Sequence, residues 1–188
     1  MADPRTDDTL MLAYAGGDAA AFEVLYGRYR KPLYRYLYYA CGDRPIADEL
    51  FQDVWSRVIE AKDRYRRGTG FRRYLFRIAH NRLVDHWRRH ARTPRGSDDG
   101  LERLAAGTRE APDTEAERAG LRERLMAALR SLPPEQREAF LLQQEAGLTL
   151  QEIAARTDVG RETVKSRLRY AVNRLRMQLS NKPEMPEP

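Results

Sequence analysis

Six side chains near the C-terminus, Arg161, Glu162, Thr163, Lys165, Ser166 and Arg169, follow one another at spacings that suit one exposed helix face. Their chemistry is recognition rather than bond-making. Arg and Lys donate to guanine acceptors or to phosphates. A second set combines the cations Arg77, Arg82 and Arg88 with the amide of Asn81, and follows Tyr65, Arg66 and Phe71. Basic groups can hold a phosphate backbone, and aromatic rings can stack on unpaired bases. A third set, Asp48, Glu49, Gln52 and Asp53, is acidic and amide-bearing. It suits a basic partner through complementary charge.

Catalytic constellations are missing. His86 and His90 are four apart and could share a metal, but only the adjacent Asp85 stands near them and no convincing third ligand does. A solvated or phosphate-facing role is expected for both. Cys41 is the single cysteine, so an internal disulfide and a multi-cysteine metal site are excluded. It reads as a small buried residue near a helix end. There is no Gly-rich phosphate loop and no Ser/His/Asp set, so no catalytic activity, metal or cofactor is expected. A formal net charge of +6 over 188 residues favours a polyanionic partner. The N-terminus is acidic without an apolar core, unlike a secretory signal. No apolar run approaches the ~20 residues of a membrane span. The expectation is a cytoplasmic protein with no membrane insertion.

The elements that must carry these sets are all helical. Phe22, Leu25, Tyr29, Leu33, Tyr36 and Leu37 recur at three- and four-residue intervals and predict a helix over 20–41, started or bent at Pro32. Leu50, Phe51, Val54 and Val58 form the stripe of a second helix over 46–61, with Trp55 at its border. After a loop with Gly68 and Gly70, a third helix over 71–90 turns Leu75, Ile78, Ala79, Leu83 and Trp87 inward, with Phe76 also read as core. Residues 92–114 are rich in Gly, Pro and scattered acids and read as a flexible linker in which Leu101 and Leu104 could form a short turn. Helices resume over 115–132 and 135–146, stopped by Pro133 and Gly147 respectively. The tail 181–188 is proline-rich and expected to be disordered.

From Thr149 to Arg176 the pattern is that of a helix-turn-helix. Thr149 and Glu152 fit a capping box. Leu150, Ile153 and the small Ala154 face inward, and Val159 plugs the gap between two helices. Asp158 sits at the turn position usually held by glycine, where Asp tolerates left-handed geometry better than most residues. Val164, Leu168, Ala171 and Leu175 give the second helix its buried face. Such a helix enters the major groove and reads base edges.

Three motifs give the whole chain, from Asp7 to Leu179, a resemblance to the extracytoplasmic-function sigma factors of bacterial RNA polymerase. They are Ala47-Asp48-Glu49-Leu50-Phe51-Gln52-Asp53-Val54-Trp55, then Phe71-Arg72-Arg73-Tyr74-Leu75-Phe76-Arg77-Ile78-Ala79-His80-Asn81. The third is Leu132-Pro133-Pro134-Glu135-Gln136-Arg137-Glu138 with the later Thr163-Val164-Lys165-Ser166-Arg167-Leu168. Tyr74 stands where the family usually has Trp, Arg73 where a small residue is common, and Arg161-Glu162 replaces a frequent Pro-x-Gly variant.

The resemblance implies an all-α fold of two small helical domains joined by a flexible linker. Residues 7–91 would be a σ2-like domain and 115–180 a σ4-like helix-turn-helix domain, with 92–114 between them. Asp48, Glu49, Gln52 and Asp53 would dock on the clamp coiled coil of the polymerase β′ subunit. Tyr65, Arg66, Phe71, Arg77, Asn81, Arg82 and Arg88 would bind and melt the −10 element, with Tyr65 and the loop 66–71 forming a pocket for a flipped base. Arg161, Glu162, Thr163, Lys165, Ser166 and Arg169 would read the −35 duplex. The implied partners are core RNA polymerase (β′ clamp coiled coil and β flap), promoter DNA and an anti-sigma factor. Two competing readings remain: a conventional helix-turn-helix regulator, and a serine recombinase, which needs a strand-bearing catalytic domain.

Overall fold

The computed structural model describes residues 3–91 and 112–180. The segment around Leu101 and Leu104 and the tail 181–188 lie outside them. Eight α-helices, and no strand, occur among the described residues. The recombinase reading therefore has no sheet to stand on within them.

The first helix, α1 (Asp7–Ala15), was not evident from periodicity. Thr6 caps it by accepting the Thr9 amide at 3.3 Å, and Leu10 and Met11 are fully buried. Asp18 caps α2 (Ala19–Cys41) through the Ala21 amide at 3.2 Å. Pro32 lies inside this helix and does not start one, which was one of the two outcomes expected of it. A proline inside a helix costs about 3 kcal/mol or more. Leu25 and Tyr29 before it and Leu33, Tyr36 and Leu37 after it are all buried. Burial of each such side chain contributes about 1.5–3 kcal/mol, so one uninterrupted apolar face outweighs the proline. Gly42, in the left-handed conformation at φ 74°, stops α2. Asp43 then caps α3 (Arg44–Glu60) by accepting the Ile46 amide at 2.9 Å.

A short 3-10 turn (Lys62–Arg64) and a loop lead into α4 (Phe71–Ala91). Phe71, Leu75, Phe76, Ala79 and Leu83 are buried, but Trp87 is 41% exposed. Steps of four residues overshoot a full helical turn by about 40° each. After Leu75, Ala79 and Leu83 the buried face has drifted to His86, which is 8% exposed, and Trp87 swings out. Two expectations are thereby corrected: Trp87 is not core, and His86 is not solvated.

The C-terminal half contains α5 (Pro112–Arg130), α6 (Pro134–Gln144), α7 (Leu150–Thr157) and α8 (Arg161–Ser180). Helices α5, α6 and α7 all pack on α8. The Thr149 capping box is formed in full, and Asp158 holds φ 53° at the turn. Val164, Leu168, Ala171 and Leu175 are buried as the pattern requires.

The two halves are in contact. Helix α2 lies against α6, and the buried side chains of both halves form one contiguous cluster. Fully buried Tyr36 packs edge-on against Phe76, with ring centroids 5.4 Å apart. Around it, Arg35 Nε meets Glu145 Oε2 at 2.8 Å and His80 Nδ1 meets Glu138 Oε1 at 2.7 Å. Arg130 donates to the Gly42 carbonyl at 2.9 Å.

Candidate nucleic-acid and partner interfaces

The capped turn after α7 delivers α8 with its first residues in solvent. Arg161, Glu162, Thr163, Lys165 and Arg169 are exposed, and Ser166 is half-buried. Glu162 sits between cations, 3.8 Å from Arg161 and 3.7 Å from Lys165. These three side chains are each more than 60% exposed, so the pairs are weak and readily exchanged for another partner. The Arg169 guanidinium lies 5.1 Å from the Tyr170 ring centroid. All six candidates of this set share the accessible side of one helix.

On α4, Arg77, Asn81 and Arg88 are exposed at spacings of four and seven, which makes one stripe. Arg77 covers the face of Tyr74 at 5.6 Å. Arg82 departs from this set. Its side chain is 17% exposed, and the guanidinium bonds Asp53 on α3 and lies 3.4 Å from Asp85. One candidate DNA contact and one candidate docking contact therefore hold each other, and each is less available than its helix position suggests.

Tyr65 and Phe71 require a correction. They are 4% and 1% exposed, so neither presents a free ring for a base to stack on. Tyr65 packs between Phe71 and Tyr74, at 6.3 and 5.3 Å, and Phe71 packs against Tyr29 at 5.3 Å. Apolar ring area was more stabilising inside the bundle than at its edge, and the Tyr65 hydroxyl found an internal acceptor in Asp8. The pair forms the floor of the loop. Its rim is Arg66, Arg67 and Gly68, all exposed, with Thr69 and Gly70 half-buried.

Asp8 went unnoticed in the sequence, where it is one of several N-terminal acids. Its carboxylate accepts the Phe71 amide at 3.0 Å and the Gly68 amide at 3.0 Å, besides the Tyr65 hydroxyl. Burial alone would raise its pKa, but these donors outweigh burial and hold it below the ordinary value. Arg72 and Arg73 stand near the start of the second of the three sequence motifs. Arg72 lies 5.8 Å over the Tyr29 ring and against Gly147, and Arg73 approaches Glu152 at 3.8 Å. Both cations face the C-terminal half.

On α3, Asp48, Glu49 and Gln52 are exposed and Asp53 is half-buried. Asp48 accepts the Tyr34 hydroxyl; burial, then this bond, push the Tyr34 pKa up to about 12. Phe51 and Tyr34 pack edge to face at 5.7 Å beneath the acidic side. Cys41 is half-buried beside the Asp43 carbonyl at 3.2 Å, and burial raises its pKa. Among the described residues no three His, Cys, Asp or Glu side chains gather as metal ligands. No helix there is long and apolar enough to cross a membrane.

Comparison with known proteins gives this arrangement a family. Residues 25–93 match sigma-70 region 2 and residues 128–177 match sigma-70 region 4. The chain is 34% identical over 168 residues to the ECF RNA polymerase sigma factor SigE of Mycolicibacterium smegmatis, which covers 86% of this chain and 64% of that protein. It therefore spans just under two thirds of that relative's length. It is 29% identical over 177 residues to the ECF RNA polymerase sigma-E factor of Escherichia coli, covering 89% of this chain and 91% of that one. The fold is similar to that of CnrH in complex with the cytosolic domain of CnrY (TM-score 0.67, 24% identity, 93% and 97% covered). It is also similar to the sigma factor RpoE in complex with the anti-sigma factor NepR from Bartonella quintana (TM-score 0.68, 22% identity, 86% and 98% covered).

Proposed function

The chain belongs to the sigma-70 family, within its extracytoplasmic-function group, and on that premise we propose that it binds core RNA polymerase and directs it to specific promoters. Residues 7–91 are the docking and −10 unit and 115–180 the −35 unit, with α5 beginning three residues earlier at Pro112; joined in one chain, two weak grips act as one. The observation that carries this reading is the construction of the first unit. The exposed acids of α3 and the Arg77–Asn81–Arg88 stripe of α4 are parts of one packed body.

In this reading Asp48, Glu49 and Gln52 meet the basic clamp coiled coil of β′, and Asp53 acts mainly through Arg82. Arg77 and Arg88 hold phosphates while the Asn81 amide pairs with a base edge of the opened −10 element. The rim residues 66–70 border the pocket that captures an unstacked base, above the buried Tyr65 and Phe71. Arg161, Glu162, Thr163, Lys165, Ser166 and Arg169 enter the major groove at the −35 element, and the same C-terminal unit meets the β flap. The polymerase supplies the chemistry; this chain supplies recognition, needs no cofactor and works in the cytoplasm. The solved complex of the sigma factor RpoE with the anti-sigma factor NepR supports an anti-sigma factor as a further partner.

Reconstitution tests the proposal. Core polymerase plus the full chain should form a stable holoenzyme that initiates from cognate promoter DNA. The charge reversal Glu49→Lys should weaken holoenzyme formation, and Lys165→Ala should relax selection at one −35 position by about 5- to 100-fold. Failure of the wild-type chain to bind core polymerase would refute the reading and favour a conventional regulator.

A further inference from the structure

The loop from Tyr65 to Phe71 has little to hold it by itself. Within it, Thr69 donates to the Arg66 carbonyl through its amide at 3.2 Å and its hydroxyl at 2.7 Å, and Arg66 Nη1 reaches the Tyr65 carbonyl at 3.4 Å; from α4, Arg73 donates to the Thr69 carbonyl through Nε at 3.0 Å and Nη2 at 2.5 Å, and to the Gly68 carbonyl at 3.4 Å. Gly68 and Gly70 lie at φ 81° and 75°, a region open chiefly to glycine, so the backbone there is soft. Nothing stands within 4 Å of where a Cβ on Gly68 would project, which leaves that side of the backbone open to an approaching ligand.

From below, a side chain of a distant helix takes the loop's donors. Asp8 of α1 spans from the Gly68 amide to the Phe71 amide, using one oxygen for each, and takes the Tyr65 hydroxyl as well. The three donors lie 57 to 63 residues away in sequence. Two of them are backbone groups and the third belongs to the aromatic floor. A carboxylate with fixed oxygens thus sets the loop's height, its left-handed corner and the start of α4 together.

The position has a second consequence. A helix start with free amides attracts anions, phosphate included. Asp8 already takes the first of these amides, that of Phe71, together with the Gly68 amide in the loop. A nucleic-acid strand crossing the loop meets a carboxylate at those two amides, which favours the arginines for its phosphates and the rim for its base.

We propose that Asp8 is a positioning residue for base selection at the −10 element: it shapes the loop 65–71 from a different helix through the Gly68 and Phe71 amides and the Tyr65 hydroxyl. This inference rests on the loop being the base reader. A purely structural role would make Asp8 variants less stable without altering which base is preferred.

The test uses holoenzyme reconstituted with the full chain and fork-junction probes in which each −10 non-template base is varied in turn. The readout is the ratio of affinities for the cognate and the substituted probe. Wild type should discriminate by about 5- to 100-fold at one position at least. In Asp8→Asn one of the two accepting oxygens becomes an NH2 donor facing a backbone amide, and in Asp8→Ala both acceptors are gone. Both should bring that ratio to within about twofold of one, while binding to core polymerase and to −35 duplex is retained. Tyr65→Phe removes one bond of three and should fall between. Thermal unfolding of each variant identifies any that fails to fold, and Tyr65→Phe keeps the comparison open if Asp8→Ala does. Alanine at Arg66 and Thr69 tests the rim separately. A ratio unchanged in the Asp8 variants, with the rim variants altered, overturns the role of Asp8 alone. A ratio unchanged in the rim variants overturns the loop as reader, and the role of Asp8 with it.

Discussion

Thr149→Ala would measure how far the two halves act as one body. Thr149 Oγ1 accepts the Glu152 amide at 3.3 Å, and the Glu152 carboxylate returns to the Thr149 amide at 2.9 Å and hydroxyl at 3.0 Å. Alanine removes the cap acceptor and the hydroxyl while leaving the backbone bond to Glu152. Loss of such a cap costs about 1 kcal/mol. The resulting shift depends on what unfolds with α7. If the C-terminal half melts alone, 1 kcal/mol lowers Tm by about 4–8 °C, as for a domain of 60–100 residues. If the whole chain melts together, the drop is about 2–4 °C. The contiguous core, buried Tyr36 and the pairs Arg35–Glu145 and His80–Glu138 predict the second outcome. Calorimetry of the full chain should therefore show one transition moving by about 2–4 °C. Two transitions, with only one displaced and by the larger amount, would refute the coupling of the halves.

Further outcomes follow from other contacts. Bonds from Thr149 hold Glu152 below the ordinary carboxyl value of 4.5. Its contribution is thus present above that value and lost as pH falls through the lower, folded value; the stability gap between wild type and Glu152→Gln, read from Tm across pH 3–7, should close on the acid side. A double-mutant cycle on Asp53→Ala and Arg82→Ala should give a coupling of about 1 kcal/mol in urea unfolding, and additivity would show the pair to be unformed in solution. Gly147→Ala places a side chain at φ 60° and overlaps the Arg72 guanidinium. The backbone part, about 1–2 kcal/mol, should survive in an Arg72→Ala background, and denaturation of the double variant checks this.

Much of the fold was legible because its signals are local. The capping box, Asp158 at the turn and the 164–168–171–175 stripe all depend on residues within one or two helical turns of each other. The exposed stripes of α3, α4 and α8 follow from the same periodicity, since whatever is left after the buried face is filled must meet solvent. Local signals fell short where a distant partner outbid them. Pro32 stayed inside α2 because buried side chains on both sides of it were worth more than one lost hydrogen bond. Tyr65 and Phe71 looked like stacking surfaces beside a basic run, yet the bundle had room for their rings.

The residue types available for recognition, the helical spacing that groups them and the order of acidic, basic and helix-turn-helix segments were determined by the sequence alone. Only the tertiary structure decided that Arg82 is held by Asp53, that Glu138, Glu145 and Glu152 face His80, Arg35 and Arg73 of the other half, and that Asp8 reaches the loop before α4. The physical reason is range. Helical periodicity is written in neighbours three and four residues apart, whereas a charge or a hydrogen-bond donor is satisfied by whichever group packing brings within about 3 Å.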